Sequence, residues 1–200
     1  MKNSLAVAGA ALVALCAGAP SFATTTVYTS TLTGASEVPA NASPGVGLAI
    51  LTLDDTSFSM RLQTVFFGLL GTVSAAHIHC CTAVPVAGTA GVVTQLPTFV
   101  GFPLGGTSGA YDATFDMTLS SSWNGSYVTA NGGTPSSAFA ALSSGLNSGR
   151  GYLNIHSTSF GGGEIRGFLL PAVPEPASYA LMLAGLAVVG WAARQQRRVA

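Results

Sequence analysis

The 200-residue chain is poor in charge: 7% of its residues are Asp, Glu, Lys or Arg, and Lys2 is its one lysine. Residues 24–172 carry six acids and three arginines, a formal net charge of −3. A lysine-free, slightly acidic body lacks the basic patch that attracts nucleic acids and anionic membranes, so neither is expected as a partner. The charged residues of this body are Glu37, Asp54, Asp55, Arg61, Asp112, Asp116, Arg150, Glu164 and Arg166.

Long apolar runs are absent except at the two ends of the chain. At the first end, Lys2 provides a positive charge, an apolar run follows over residues 5–17, and Ser21-Phe22-Ala23 has the small-x-small pattern of a cleavage site. These three parts in this order predict a signal peptide over residues 1–23 that is cleaved after Ala23. Cys16 would be removed with it, and the remaining body would be exported.

The second apolar run, residues 178–193, contains no charge and would extend about 24 Å as a helix. This is slightly short of the roughly 30 Å of bilayer hydrocarbon, a gap that Trp191 at one interface and snorkelling arginines would close. The run is preceded by Val173-Pro174-Glu175-Pro176 and followed by an arginine stop. We predict a transmembrane segment with its C-terminal side in the cytoplasm. The stop consists of Arg194, Arg197 and Arg198.

The motif, apolar span and arginine cluster together resemble the PEP-CTERM sorting signal of Gram-negative bacteria. The resemblance implies that an exosortase recognises residues 173–176. It also implies an inner-membrane intermediate, followed by release toward the cell surface or extracellular matrix. The expected partners are therefore the exosortase and the export machinery, and insertion in the inner membrane would be transient.

Alternating apolar residues predict an all-β body over residues 24–172. Residues 57–66 place apolar and polar side chains on opposite faces, and residues 49–53 alternate just before them, so the two runs indicate a hairpin. Many short strands with glycine-rich turns favour a single antiparallel sandwich or barrel. The other predicted strands cover residues 26–33, 73–79, 110–119, 151–156 and 164–170.

One helix is predicted among the strands. Thr134 suits the N-cap, Pro135 the first helical position, and Gly145 a C-terminal stop after residues 136–144. Upstream, Asn124-Gly125 is typical of a tight hairpin turn.

All three histidines of the chain lie on non-core faces of predicted strands. His77 and His79 share one face because side chains alternate along a strand, and His156 lies outward on the strand at 151–156. If these strands are neighbours, they form one polar patch. Its members would be His77, His79, Asn154, His156, Glu164 and Arg166.

The segments that carry this patch resemble the CHRD domain, a module first described in chordin and widespread in bacterial exported proteins. The resemblance rests on residues 32–39, 76–79, 88–93, 152–157 and 163–167, and it spans about residues 28–170. It implies an all-β extracellular module and supplies no established catalytic activity. The chain departs from the common pattern after His79, where two cysteines and a short insertion replace a simple loop.

The histidines allow two interpretations. Two imidazoles at i and i+2, with a third from a neighbouring strand, can hold zinc or copper and leave a fourth position open. Cu/Zn superoxide dismutases also use such a pair on a β-sandwich, an analogy at the level of the fold that suggests redox activity. The candidate ligands are His77, His79 and His156.

The second interpretation is a hydrogen-bonded network. Arg166 would pair with Glu164 or a neighbouring acid, and the histidines would bond to backbone groups, Asn154 and Tyr152. The sequence leaves both interpretations open.

Cys80 and Cys81 follow the histidine pair directly. An oxidising compartment favours disulfides, although adjacent Cα atoms about 3.8 Å apart across a trans peptide lie below the usual disulfide span. A vicinal disulfide, free or intermolecularly paired thiols, and metal ligation beside the histidines all stay open.

No catalytic constellation is convincing. No serine lies in a Gly-x-Ser-x-Gly motif, and the acids at 54–55, 112 and 116 suit turns and strand edges rather than a calcium loop. We therefore predict an exported, non-enzymatic binding or structural module that needs no cofactor. Its partner would be a surface protein or exopolysaccharide. The alternative is a Cu- or Zn-binding sandwich with redox activity.

Overall fold

A computed structural model of the chain describes residues 25–172 and, in the C-terminal segment, residues 182, 184–187, 189 and 194. The predicted signal peptide (1–23), the motif at 173–176, Arg197 and Arg198, and part of the predicted span at 178–193 lie outside the described residues. Among the described residues, every helix falls short of the length and apolarity that a membrane crossing requires.

Eight antiparallel strands form one sheet in the order β4-β6-β7-β1-β2-β3-β5, with β8 paired to β1. The sheet is curled. Within residues 25–172 its end strands, β4 and β5, do not pair with each other, so it forms a sandwich-like half-barrel and not a closed barrel. The predicted all-β class is confirmed. The strands are β1 Thr25–Thr33, β2 Val46–Asp54, β3 Ser59–Phe67, β4 Val73–His79, β5 Gly109–Asp116, β6 Tyr152–Ser157, β7 Ile165–Phe168 and β8 Leu170–Pro171.

The predicted hairpin is β2–β3, paired so that Leu51 lies opposite Leu62. Its turn follows Asp54, whose Oδ1 accepts hydrogen bonds from the backbone N–H groups of Thr56 and Ser57 at 2.9 and 3.0 Å. Such a side-chain-to-backbone turn is the reason why Asp is favoured at this position.

Two α-helices follow β5: α1 (Gly125–Ala130) and α2 (Pro135–Asn147). The Thr134 side chain accepts from the N–H of Ser137, which confirms the predicted N-cap. The hairpin turn expected at Asn124-Gly125 is wrong. Asn124 instead caps α1, accepting from the N–H of Ser126 at 3.1 Å.

The predicted end of α2 is also wrong, because the helix continues past Gly145 to Asn147. Gly145 is a packing position rather than a stop. A Cβ there would collide with the sulfur atoms of Cys80 and Cys81. Only glycine allows this approach of the helix to the loop after β4.

The apolar core lies between the concave inner face of the sheet and α2. Phe58 and Phe139 meet there with ring centroids 5.2 Å apart, and Tyr28 donates to Asn147 Oδ1 at 2.8 Å. Burial of such side chains stabilises the fold by roughly 1.5–3 kcal/mol each. The largest fully buried side chains include Leu32, Leu51, Met60, Leu62, Ile78, Phe99, Met117, Leu142, Leu146 and Leu153.

The outer face differs between the two halves of the sheet. On β2 and β3 it is exposed and partly apolar, whereas on β4, β6 and β7 it is covered by loops from residues 34–37, 90–97 and 158–163. Glu164 and Arg166, predicted to lie on the face opposite the core, are buried for this reason.

Candidate functional site

The polar side chains of β4, β6 and β7 form one buried layer, which we name the polar layer. Antiparallel pairing places His77 opposite Asn154, His79 opposite Tyr152, and Asn154 opposite Arg166. His156 completes the layer on β6. The strands predicted to be neighbours are therefore neighbours, and alternation places these side chains on the face opposite the core.

The three histidine rings meet in this layer. The centroid of the His77 ring lies 5.3 Å from that of His156 and 5.9 Å from that of His79. One ring nitrogen of each histidine lies within 4.8 Å of the corresponding nitrogens of the other two. His77 and His79 are 6% and 8% exposed, and His156 is half-buried.

One nitrogen of each ring is bonded to a backbone carbonyl oxygen. His77 Nε2 lies 2.7 Å from Pro97 O, His79 Nδ1 lies 3.0 Å from Ala90 O, and His156 Nδ1 lies 3.0 Å from Gly161 O. A carbonyl oxygen can only accept, so each of these nitrogens carries the proton in a neutral ring. The opposite nitrogen of each ring is consequently an acceptor.

Those opposite nitrogens are buried and have no hydrogen-bond partner within the described part of the chain. They are His77 Nδ1, His79 Nε2 and His156 Nε2. Burial lowers the pKa of all three histidines, in the case of His79 to about 4, and the carbonyl bonds only partly oppose it. The rings are therefore neutral at pH 7, and each has a lone pair on its buried, unpartnered nitrogen.

Tyr152 holds His79 in place. The two rings stack with centroids 4.9 Å apart and an interplanar angle of 3°. The Tyr152 hydroxyl accepts from the N–H of Ala90 at 3.2 Å, so it also fixes the loop whose carbonyl holds His79. On the far side, the Arg166 guanidinium carbon lies 4.7 Å from the Tyr152 ring centroid, in a cation–π contact.

Arg166 does not pair with Glu164, contrary to one alternative drawn from the sequence. Its Nε donates to Ser36 O and lies 3.9 Å from Glu37 Oε2. Glu164 instead accepts from Ser43 Oγ at 2.6 Å and from the backbone N–H of Gly71 at 3.1 Å. The neighbouring-acid alternative is the correct one, because the turn after β1 brings Glu37 over β7.

The pKa values of the two buried acids, Glu37 and Glu164, are shifted in opposite directions. Burial raises the pKa of Glu37 to about 7, and the nearby Arg166 charge only partly opposes this. Burial also acts to raise the pKa of Glu164. There, hydrogen bonds from Ser157, Ser43 and two backbone N–H groups outweigh it, and the pKa is lowered. Glu164 is thus a charged residue that links Ser43 and the backbone at Gly71 through hydrogen bonds.

The two cysteines are joined in a vicinal disulfide, and their sulfur atoms face Gly145 of α2. They lie in or against the apolar core, and the close His/Cys/Asp/Glu group found among the described residues contains histidines alone. Because both sulfur atoms are used in the disulfide, neither cysteine offers a thiolate ligand beside the histidines.

The remaining acidic residues considered from the sequence have partners. Arg61 donates to both carboxylate oxygens of Asp112 at 2.8 and 2.7 Å, and Asp116 accepts from the hydroxyl of Thr118 at 2.6 Å. Asp54 serves the hairpin turn described above. Sequence reasoning allowed a neighbouring acid as the partner of Arg166 but did not identify Glu37, since no local pattern links residues so far apart.

The model of the CHRD domain matches residues 28–169, so the chain belongs to the CHRD domain family. The model of the PEP-CTERM protein-sorting motif matches residues 172–198 and implies processing by an exosortase and export toward the cell surface. The chain is thus an exosortase-sorted surface protein with one CHRD domain. No curated protein and no solved structure matches it.

Proposed function

We propose that the CHRD domain acts, once sorted, as a non-enzymatic module of the cell surface or extracellular matrix that binds a surface protein or an exopolysaccharide. The observation that carries this proposal is the exposed outer face of β2 and β3. Leu48, Ile50, Val65 and Phe67 are 43–60% exposed there, on a body with little charge. Apolar side chains grouped on an exposed face are typical of interaction sites.

A groove of about 810 Å³ adjoins this face and continues toward the polar layer. Its lining includes the apolar side chains of Leu48, Ile50, Phe168 and Leu170, and it also includes Glu37 and Arg166. The exposed apolar side chains of the face and the groove favour a protein partner over a polysaccharide.

The sorting half of the proposal is tested by the mass of the protein recovered from the surface or medium of the producing cells. We expect an N-terminus at Thr24 and a C-terminus near Pro174. Full-length protein retained inside the cell would contradict it. Replacing Pro174 and Pro176 with Ala should hold the chain in the membrane fraction, whereas replacing Pro103 with Ala, outside the motif, should not.

The binding half is tested by co-sedimentation of the processed protein with washed cell envelopes in the presence of chelator. Leu48→Ser together with Ile50→Ser should abolish binding. Val100→Ser together with Leu119→Ser changes exposed apolar residues elsewhere on the surface and should preserve it. Equal binding by both double variants would contradict the proposal, and binding lost after polysaccharide digestion would identify a carbohydrate partner.

The competing prediction of redox turnover at a bound metal rests on the histidines alone. It requires superoxide or peroxide consumption that depends on metal, and it stays a prediction.

A further inference from the structure

We propose that His77, His79 and His156 form a binding site for copper or zinc, with His77 coordinating through Nδ1 and the other two through Nε2. This site uses different residues from the exposed face of β2 and β3, and it is independent of partner binding. The chain has three histidines, and all of them belong to this group.

The first argument is the direction of the lone pairs. Each ring already donates its one N–H to a carbonyl oxygen, so the facing nitrogens can only accept. In this tautomeric arrangement three acceptors cannot hydrogen-bond to one another, so the histidines do not satisfy one another. A group that accepts three lone pairs at one point fits, and a metal cation is such a group.

The neighbouring polar groups do not supply the missing donors. The Asn154 amide donates to Gly162 O at 3.4 Å, and the Tyr152 hydroxyl lies 3.4 Å from Ala90 O. Leaving a buried acceptor unpaired costs about 1–3 kcal/mol, and within the described part of the chain this layer holds three such nitrogens. Coordination to one ion would satisfy all three.

The second argument is support from outside the ligand set. Metal-bound histidines in proteins nearly always donate their other N–H to a carbonyl or carboxylate, which fixes the ring and its tautomer. Ala90 and Pro97 provide two such carbonyls from the connection between β4 and β5, and Gly161 provides a third from the loop after β6. Tyr152 stacked on His79 restricts that ring further.

The spacing is compatible with coordination after a small adjustment. An ion midway between three nitrogens at the observed limit of 4.8 Å would need each ring to approach by roughly 0.7 Å to reach the 2.0–2.1 Å of a Zn–N bond. His156 is half-buried and is the most exposed of the three, so we expect the adjustment and the entry of an ion to occur on its side of the site.

The ligand type selects the metal. Three neutral imidazoles suit zinc and copper, whereas calcium and magnesium require oxygen ligands that the histidine group does not contain. Copper(II) should bind more tightly than zinc, following the general order of affinities for nitrogen sites. With three protein ligands, the fourth position would be open to a small molecule.

The test uses processed protein isolated from the cell surface without chelator, then stripped with EDTA and titrated with Zn²⁺ or Cu²⁺. We expect one ion per chain, a rise in Tm, and three imidazole nitrogens in the electron spin-echo spectrum of the copper form. Long-range ¹⁵N correlation spectra of the zinc form should show coordination at Nδ1 of His77 and at Nε2 of His79 and His156.

His156→Ala is the principal variant, because this residue is the least buried of the three. It should weaken copper binding by at least about 100-fold, above the effect of losing an outer hydrogen bond. A cooperative circular dichroism melt without metal is the control that this variant folds. Thr158→Ala changes the loop at 158–163 that covers His156 without removing a ligand, and this variant should bind copper like the wild type. No heat at micromolar Zn²⁺ and Cu²⁺, unchanged binding by His156→Ala, or coordination through the carbonyl-facing nitrogens would each overturn the proposal.

Discussion

The two halves of the sheet differ in what covers their outer faces. On β2 and β3, Leu48 and Phe67 lie in solvent at 59% and 60% exposure, although both are apolar. On β4 and β6, His77 and Asn154 are polar and yet only 6% and 3% exposed. The usual relation between polarity and burial is reversed across one continuous sheet.

This reversal is the reason for proposing that both faces serve something besides stability. Burying a polar group is unfavourable unless it gains partners, and exposing apolar area forgoes the benefit of burying it. A face that only needed to be soluble would require no covering loops. The proposed ion would account for loops whose carbonyls face three histidines, and the proposed partner would account for the exposed apolar face.

The largest expected effect concerns the buried pair in the covered half. Arg166→Met should lower the free energy of unfolding by about 3–5 kcal/mol at pH 8, because it leaves the Glu37 carboxylate buried without its counter-charge. Urea denaturation measures this. Arg61→Met, which breaks an exposed pair with Asp112 on the other half, should change stability little. Equal losses in the two variants would remove the contrast between the halves.

Gly145→Ala should have the next largest effect. It should lower the free energy of unfolding by about 1–3 kcal/mol, because its Cβ would collide with the Cys80–Cys81 disulfide. Replacing both cysteines with Ala opens this space, so Gly145→Ala should cost much less in that background. Gly125→Ala, in α1 with nothing near its Cβ, is the matched control and should be neutral. An equal cost of Gly145→Ala with and without the sulfurs would show that the contact is not the cause.

The pH dependence of Glu37 gives a separate test of the covered half. Its pKa is raised from 4.5 to about 7, so the folded state binds a proton that the unfolded state releases. The resulting stabilisation is complete below pH 4.5 and is lost as the pH rises through 7. Wild-type protein should therefore lose Tm relative to Glu37→Gln between pH 5 and pH 8. A constant difference across this range would show that the pKa of Glu37 is not raised.

The smallest effect belongs to the exposed half. Leu48→Ser should change the free energy of unfolding by no more than roughly 0.5 kcal/mol, since the side chain is already mostly in solvent. Thermal melting of the processed protein measures it. A loss above 1 kcal/mol would show that this face is covered in the native protein, and the exposed-face proposal would then need revision.

Much of the fold was predictable because it follows from local periodicity. The alternation at 57–66 gave the hairpin, and Thr134 with Pro135 gave the start of α2. The failures have a tertiary cause. Gly145 resembles a helix stop, but it lies inside α2 because the disulfide packs against it.

The candidate site was half predictable. Strand alternation places His77, His79 and His156 on one face, and pairing of β4 with β6 brings them together. The carbonyls of Pro97, Ala90 and Gly161 belong to loops with no periodic signal. No pattern in the sequence could indicate that they approach the rings.

The sequence by itself determined the class of fold, the family, the sorting motif and the face on which each histidine lies, because strand period and short motifs are local properties of the chain. Only the tertiary structure decided that this face is buried, that Arg166 pairs with Glu37 rather than Glu164, and which nitrogen of each histidine is unpartnered. Those outcomes depend on which distant loops cover the sheet, and such contacts are set by packing of the whole chain.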